Sequence, residues 1–246
     1  MAKGRLKAAL NLLGLEVRRA RKAPKTPAIP DADLYRPLFS PWFGQGEFGK
    51  YHAIAAPRTL VSADRCHVLY TLLRQAIHVP GDVWECGVYK GGTAAMMAAM
   101  LADLCPAKRL YLFDTFVGMP ETDAARDLHK QGDFADTTAE AVATYVGHAN
   151  LCVFRKGFIP DTFAGLESAQ IALAHIDVDI YKSILDSLAF IWPRLSVGGF
   201  IVFDDYGFPT CPGARAAVDE FFLGSQCIPL CLPTGQALVF KGVASP

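Results

Sequence analysis

The chain has 246 residues, 52% of them hydrophobic and 20% charged, and its 24 basic and 24 acidic residues leave a formal net charge of zero. That is enough chain for one sizeable core. The neutral balance excludes a global field that would draw the protein to nucleic acid or to a strongly acidic partner. Seven cysteines (Cys66, Cys86, Cys105, Cys152, Cys211, Cys227 and Cys231) are scattered without a CxxC pair, so their spacing suggests neither a zinc site nor a disulfide framework. They read as reduced thiols that pack as small apolar residues in a cytoplasmic protein.

Residues 1–25 carry eight basic residues against one acid, Glu16, with apolar residues recurring at Leu6, Ala9, Leu10, Leu13 and Val17. This predicts a basic amphipathic helix that packs on the body or on a partner subunit, with weak membrane-surface contact as the alternative. The segment is too short and interrupted for a spanning helix, and it lacks the clean apolar core and small-residue cleavage site of a signal peptide. A Pro-rich aromatic stretch follows, "APKTPAIPDADLYRPLFSPWFGQGEFGKY", which reads as an irregular arm. Its Tyr35, Phe39, Trp42, Phe43 and Phe48 suggest that it docks on a surface. "SADRCHVLYTLLRQAIHV" predicts a helix with Ser62 or Asp64 near its N-cap. The organisation expected is a helix and arm over residues 1–60 and one domain over 61–246.

From Gly81 onward, apolar runs alternate with helical segments. The runs are "DVWECG", "RLYLFDTF", "LCVFRKG", "IALAHID", "GGFIVFDD" and "ALVFKG"; the helices expected between them cover residues 93–104, 138–146, 183–192 and 213–222. Strands alternating with helices predict a three-layer α/β fold with a mostly parallel sheet. The near-continuous apolarity fits strands buried on both faces. Ligands of such sheets bind beyond the carboxyl ends of the strands, and the polar residues of this chain concentrate there.

The first junction, "VWECGVYKGGTAAMMAAML", is a strand, a glycine-rich turn and a helix of small residues. Gly87, Gly91 and Gly92 allow tight turning and close approach of a ligand. The E-x-G-x-x-x-G-G spacing matches neither the dinucleotide fingerprint nor the P-loop. Glu85 would repel a phosphate but can accept hydrogen bonds from an amine or a hydroxyl. Asp114 ends the next strand, 29 residues on, where doubly wound folds hold ribose hydroxyls. A nucleoside that carries an amino-acid cation and no phosphate fits this pair, and S-adenosylmethionine is such a molecule.

Two further strand ends each carry two acids, Asp177 with Asp179 and Asp204 with Asp205. If the strands are parallel neighbours, the carboxylates converge and repel one another unless protonated or bound to a cation. All-oxygen ligation suits Mg²⁺, which would hold substrate oxygens and acidify a hydroxyl. Helix capping accounts for one acid per junction better than for two.

The segments "WECGVYKGGTAAMMA", "LFDTFVGMPETD", "KGFIPDTF", "HIDVDIYKSILDSLAFIWPRLSVGGFIVFDDYG" and "GARAAVDEFF" together resemble the macrocin O-methyltransferase family from about Leu60 to the C-terminus. The resemblance implies the Rossmann-like class I methyltransferase fold: a seven-stranded, mostly parallel sheet with an antiparallel last strand. It implies S-adenosylmethionine as donor, Mg²⁺ as cofactor, a sugar hydroxyl on a natural product as acceptor, and a homodimer or higher homo-oligomer. On this chain it places Glu85, Gly87, Val88, Tyr89, Gly91, Gly92 and Thr93 around the methionine part of the donor. Asp114 falls at the ribose, Phe116 among the donor-binding residues, and Asp133 and Phe134 of "QGDFADT" near the adenine. Asp177, Asp204 and Asp205 fall at the metal, with Asp177 also beside the donor. The proton of the acceptor hydroxyl is then taken by Asp177, Asp179 or His175, with His129 as a further base in a lid. His175 reads first as a core histidine bonded to backbone. The alternatives are a catechol-type O-methyltransferase and a non-catalytic S-adenosylmethionine-binding protein.

Overall fold

The computed structural model describes residues 40–43 and 46–242, so the expected basic helix and most of the aromatic arm lie outside the described residues. Seven strands form one sheet: β1 (Asp82–Cys86), β2 (Leu110–Asp114), β3 (Cys152–Lys156), β4 (Ile171–Ile176), β5 (Leu195–Phe203), β6 (Leu230–Cys231) and β7 (Ala237–Phe240). Their spatial order is β3-β2-β1-β4-β5-β7-β6. β1 to β5 run parallel, and β7 pairs antiparallel with both β5 and β6. The expected class I methyltransferase sheet is therefore the sheet observed. The order reverses between β1 and β4, where doubly wound folds open a crevice.

Six α-helices flank the sheet: α1 (Glu47–Ala55), α2 (Ala63–Ala76), α3 (Gly92–Leu104), α4 (Ala139–Val146), α5 (Tyr181–Arg194) and α6 (Pro212–Phe222). One face of the sheet buries Val83, Leu110, Leu112, Leu173 and Val202 under α1 to α4. The other buries Trp84, Phe113, Ile176 and Phe203 under α5 and α6. All six residues of β4 are buried, which is why "IALAHI" shows no polar alternation. On the α5 side, Trp84 lies 4.7 Å from Phe113, and Phe163 lies 4.7 Å from Phe190. Such aromatic pairs add about 0.5–1.5 kcal/mol each beyond their buried area.

Two elements differ from expectation. α1 begins within the stretch read as an irregular arm, yet it is a helix that packs on α3 and buries Phe48, Tyr51 and Ala55. Tyr51 donates a 2.9 Å hydrogen bond to Asp103 of α3. The apolar residues at 48, 51 and 55 recur at helical spacing, and that burial outweighs the cost of Gly49 inside the helix. The strand β6 was not expected either, because it is only two residues long and both are exposed. Of the other arm aromatics, Trp42 packs on the core and Phe43 is exposed.

Candidate active site

The strand ends are drawn together by backbone bonds that continue past the sheet. The Asp177 N–H donates to the Cys86 carbonyl at 2.8 Å, and the Asp204 N–H to the Ile176 carbonyl at 3.0 Å. Gly87 has φ +86°, and any side chain there would collide with the carbonyl oxygen of Asp177. Glycine is thus required for the first loop to pack against the end of β4. Gly92 meets a similar constraint, because a Cβ there would lie 2.6 Å from the backbone nitrogen of Thr59.

A cleft opens above these ends. Of the expected donor-binding residues, Gly87, Val88, Tyr89, Gly92, Thr93, Asp114, Phe134 and Asp177 line it. Asp179 lines it too, so the cleft reaches from the glycine-rich loop to the acidic strand end. Four expected contacts lie off its wall. Gly91 faces Val142 of α4. Phe116 is buried beside Phe154, with ring centroids 6.3 Å apart. The Asp133 carboxylate turns to His129 and to the Lys130 N–H. Glu85 is wholly buried beneath the loop. Arg58, Thr59, Leu60, Met119 and Phe158 also line the cleft; Met119 and Phe158 fall in the segments "LFDTFVGMPETD" and "KGFIPDTF", and no local motif marks the other three.

Asp114 is already engaged by its own chain. One oxygen accepts the N–H groups of Val88 and Tyr89 at 2.7 and 2.8 Å, and the other accepts the Phe116 N–H at 2.7 Å. The carboxylate therefore braces the glycine-rich loop. Of its roughly four acceptor positions, one stays available to a hydroxyl.

Below the cleft lies a buried charged chain. Glu85 Oε1 is 3.0 Å from His175 Nδ1, and His175 Nε2 is 3.5 Å from Asp204 Oδ1. Gln236 donates to the same Asp204 oxygen at 2.8 Å, and the Arg65 guanidinium pairs with the other. His175 is thus a buried histidine held by carboxylates, where a backbone partner was expected. Burial pulls its pKa down, but the hydrogen bonds it gives to Asp204 and Glu85 and the charges of Asp177 and Asp204 outweigh this and push it up to about 10. The second oxygen of Glu85 is buried without a hydrogen-bond partner.

The four acids at the strand ends divide by environment. Burial works to raise Asp204, but His175, Arg65 and Gln236 hold it below the usual carboxylate range. Asp177 is pushed well above that range by burial and by the charge of Asp204. Asp205 is also pushed well up, by burial and then by the charges of Asp179, Asp177 and Asp204. Burial raises Asp179 against the pull of His129. Ligand atoms of Asp177, Asp204 and His175 lie within 4.8 Å of one another. Asp205 uses one oxygen to accept the Asp179 N–H at 3.0 Å. Asp177 and Asp205, crowded carboxyls that resist ionisation, offer oxygen donors that are a chemical fit for a hard divalent cation.

The sheet order, the cleft above the β1–β4 crevice and the paired acids mark a methyltransferase-type site, and comparison with known proteins identifies the family. Residues 53–226 match the family described as Macrocin-O-methyltransferase (TylF). The chain belongs to this family. It is 34% identical over 155 residues to the 8-demethyl-8-(2,3-dimethoxy-alpha-L-rhamnosyl)-tetracenomycin-C 4'-O-methyltransferase of Streptomyces olivaceus, covering 58% of each chain. It is 30% identical over 179 residues to the Mycinamicin III 3''-O-methyltransferase of Micromonospora griseorubida, covering 66% of this chain and 69% of that one. The match to the first of these relatives thus spans less than two thirds of that protein's length. Among solved structures, the O-methyltransferase NovP superposes with a TM-score of 0.67 at 25% identity over 76% of this chain and 83% of that one. The calicheamicin methyltransferase CalS11 gives 0.64 over 81% and 99%, a likeness of fold at 21% identity. Within the macrocin O-methyltransferase family match fall the glycine-rich loop, Asp114 and all four strand-end acids.

Among the described residues no helix is long and apolar enough to cross a membrane.

Proposed function

We propose that this protein transfers a methyl group from S-adenosylmethionine to a hydroxyl of a sugar or glycosylated small molecule, in a Mg²⁺-dependent reaction. The observation that carries the reading is the cleft itself, which has the loop braced by Asp114 on one side and Asp177 and Asp179 on the other. The names of the relatives support the acceptor class, since they methylate rhamnosyl-tetracenomycin and mycinamicin compounds. Gly87, Val88, Tyr89, Gly92, Thr93 and Asp114 bind the donor, with Phe134 against its base. Asp177, Asp204 and Asp205 would hold the cation, which would supply positive charge to lower the pKa of the acceptor hydroxyl. Asp179 accepts the hydroxyl proton, because it lines the cleft and its environment makes it more basic than an ordinary carboxylate. Glu85 and His175 act from beneath, fixing Asp204. The reading includes a cytoplasmic homo-oligomer; the unpaired cysteines and the exposed Leu223, Ile228 and Leu230 support it.

The test incubates the full chain with isotopically labelled donor, Mg²⁺ and a panel of glycosides plus a catechol, with product masses as the readout. Labelled methyl on a glycoside, lost when a chelator is added, supports the reading. Methylation of the catechol alone, or turnover indifferent to the chelator, overturns it.

A further inference from the structure

At the rim of the cleft, three side chains of a different chemical kind converge. His129 comes from the segment between β2 and α4, Asp179 follows β4, and Cys211 caps the N-terminus of α6. His129 Nε2 is 3.7 Å from Asp179 Oδ1 and 3.7 Å from Cys211 Sγ, and Cys211 Sγ is 3.3 Å from Asp179 Oδ1.

Hydrogen bonds account for two edges of this triangle, both at Cys211, but not for the third. The His129–Asp179 separation exceeds an N–H···O hydrogen bond. His129 Nδ1 lies 3.2 Å from Asp133 Oδ2, so the ring donates there and its Nε2 presents a lone pair to the other two groups. Nitrogen, oxygen and sulfur ligands at about 2.0–2.3 Å around a tetrahedral zinc ion lie roughly 3.3–3.6 Å apart. The three atoms already stand within a few tenths of an ångström of that spacing. A carboxylate behind the histidine is the usual outer partner of a metal-bound imidazole. The Cys211 thiol points its proton at Asp179, and a cation between them would replace that proton.

We propose that His129, Asp179 and Cys211 bind Zn²⁺ or a transition ion of similar preference, with a fourth position open to water or a substrate oxygen. Thiolate, carboxylate and neutral imidazole around a divalent ion sum to zero charge, which suits a partly buried site. The thiol proton leaves to solvent on binding. The sulfur and nitrogen donors separate this site from the oxygen-only set of Asp177, Asp204 and Asp205. An ion here fastens residues 118–137 to the sheet and occupies the carboxylate assigned to proton acceptance, so it inhibits methyl transfer. That consequence rests on the role given to Asp179 above; the binding does not.

The test titrates chelator-stripped full-length protein with Co²⁺ in excess Mg²⁺. A thiolate-to-cobalt charge-transfer band saturating at one equivalent, and displaced by Zn²⁺, is expected. Cys211→Ser and His129→Ala should abolish it, with circular dichroism confirming that each is folded. Asp204→Asn, and Cys231→Ser at an exposed cysteine, should keep it. Asp133→Asn should keep the band and weaken binding about 10–100-fold. No band in the wild type, or a band that survives Cys211→Ser, overturns the proposal. A band, with no methyl transfer by the chelator-stripped protein supplied with Mg²⁺ alone, would sink the catalytic reading and leave this site standing, and methyl transfer without a band would do the reverse.

Discussion

His175 Nδ1 and Glu85 Oε1 face each other at 3.0 Å across the seam between β4 and β1, with both side chains fully buried. They are register partners in the sheet, so the contact is set by strand pairing. The histidine in turn reaches Asp204, and a pair set by strand register thereby orients a buried acid just past the end of β5. Glu85→Gln keeps an acceptor for the ring but removes the charge. It should destabilise the fold by about 1–3 kcal/mol, seen as a lower urea midpoint, with binding of the donor product little changed. A loss of donor affinity at full stability would mean that Glu85 contacts the ligand directly.

Asp179→Asn retains shape and tolerates the left-handed backbone at this position, φ +57°. It should lower kcat about 10²- to 10⁴-fold, the usual contribution of a general base. Isothermal titration should show the donor still bound. Near-wild-type turnover would return the role of base to Asp177 or His175.

Gly92→Ala places a methyl group against the backbone of Arg58 and Thr59, which line the cleft. Overpacking of this kind costs about 1–3 kcal/mol. If the loop yields, donor affinity should fall about 5- to 150-fold, measured by calorimetry with S-adenosylhomocysteine.

Asp127 is buried and accepts the N–H of Tyr181, the first residue of α5, at 2.9 Å, and that of Asp123 at 3.1 Å. No side-chain cap comes from the helix's own N-cap, Ile180, so this aspartate serves as the cap from a distance. Asp127→Ala should cost about 0.5–2 kcal/mol. Steady-state assays should show KM for the acceptor rising more than KM for the donor, because residues 118–137 lose their anchor.

Tyr51 offers a pH signature for α1. Burial, reinforced by the hydrogen bond and charge of Asp103, pushes its pKa up to about 12. The folded state holds this proton more tightly than the unfolded chain does, so the stabilisation is complete below pH 10 and is lost as pH rises through about 12. Tyr51→Phe should cost about 1 kcal/mol at neutral pH and flatten that alkaline fall, followed by chemical denaturation across the range.

The sheet and its acid-tipped ends were legible because burial on both faces leaves strands uniformly apolar, and polar residues appear only where strands stop. The pairing of Arg65 with Asp204 was not, since 139 residues separate them and nothing local marks either as a partner. The same holds for His129 and Cys211. Asp114 was legible as a strand-end acid. That its oxygens would be taken by the N–H groups of Val88, Tyr89 and Phe116 depends on loop geometry that residue types do not encode singly. The helix α1 was masked by the prolines before it and by Gly49 within it, although Phe48, Tyr51 and Ala55 carried its period.

The absence of a side chain at Gly87 joins two halves of the site that perform different tasks. The loop after β1 and the carbonyl of Asp177 pack with no atom to spare between them, so neither can shift without moving the other. A ligand that tightens the loop must also restrain the acidic strand end. Reciprocity then requires that occupancy at the strand end strengthen binding at the loop by the same factor. The two substrates of this protein are therefore expected to bind cooperatively, through backbone alone.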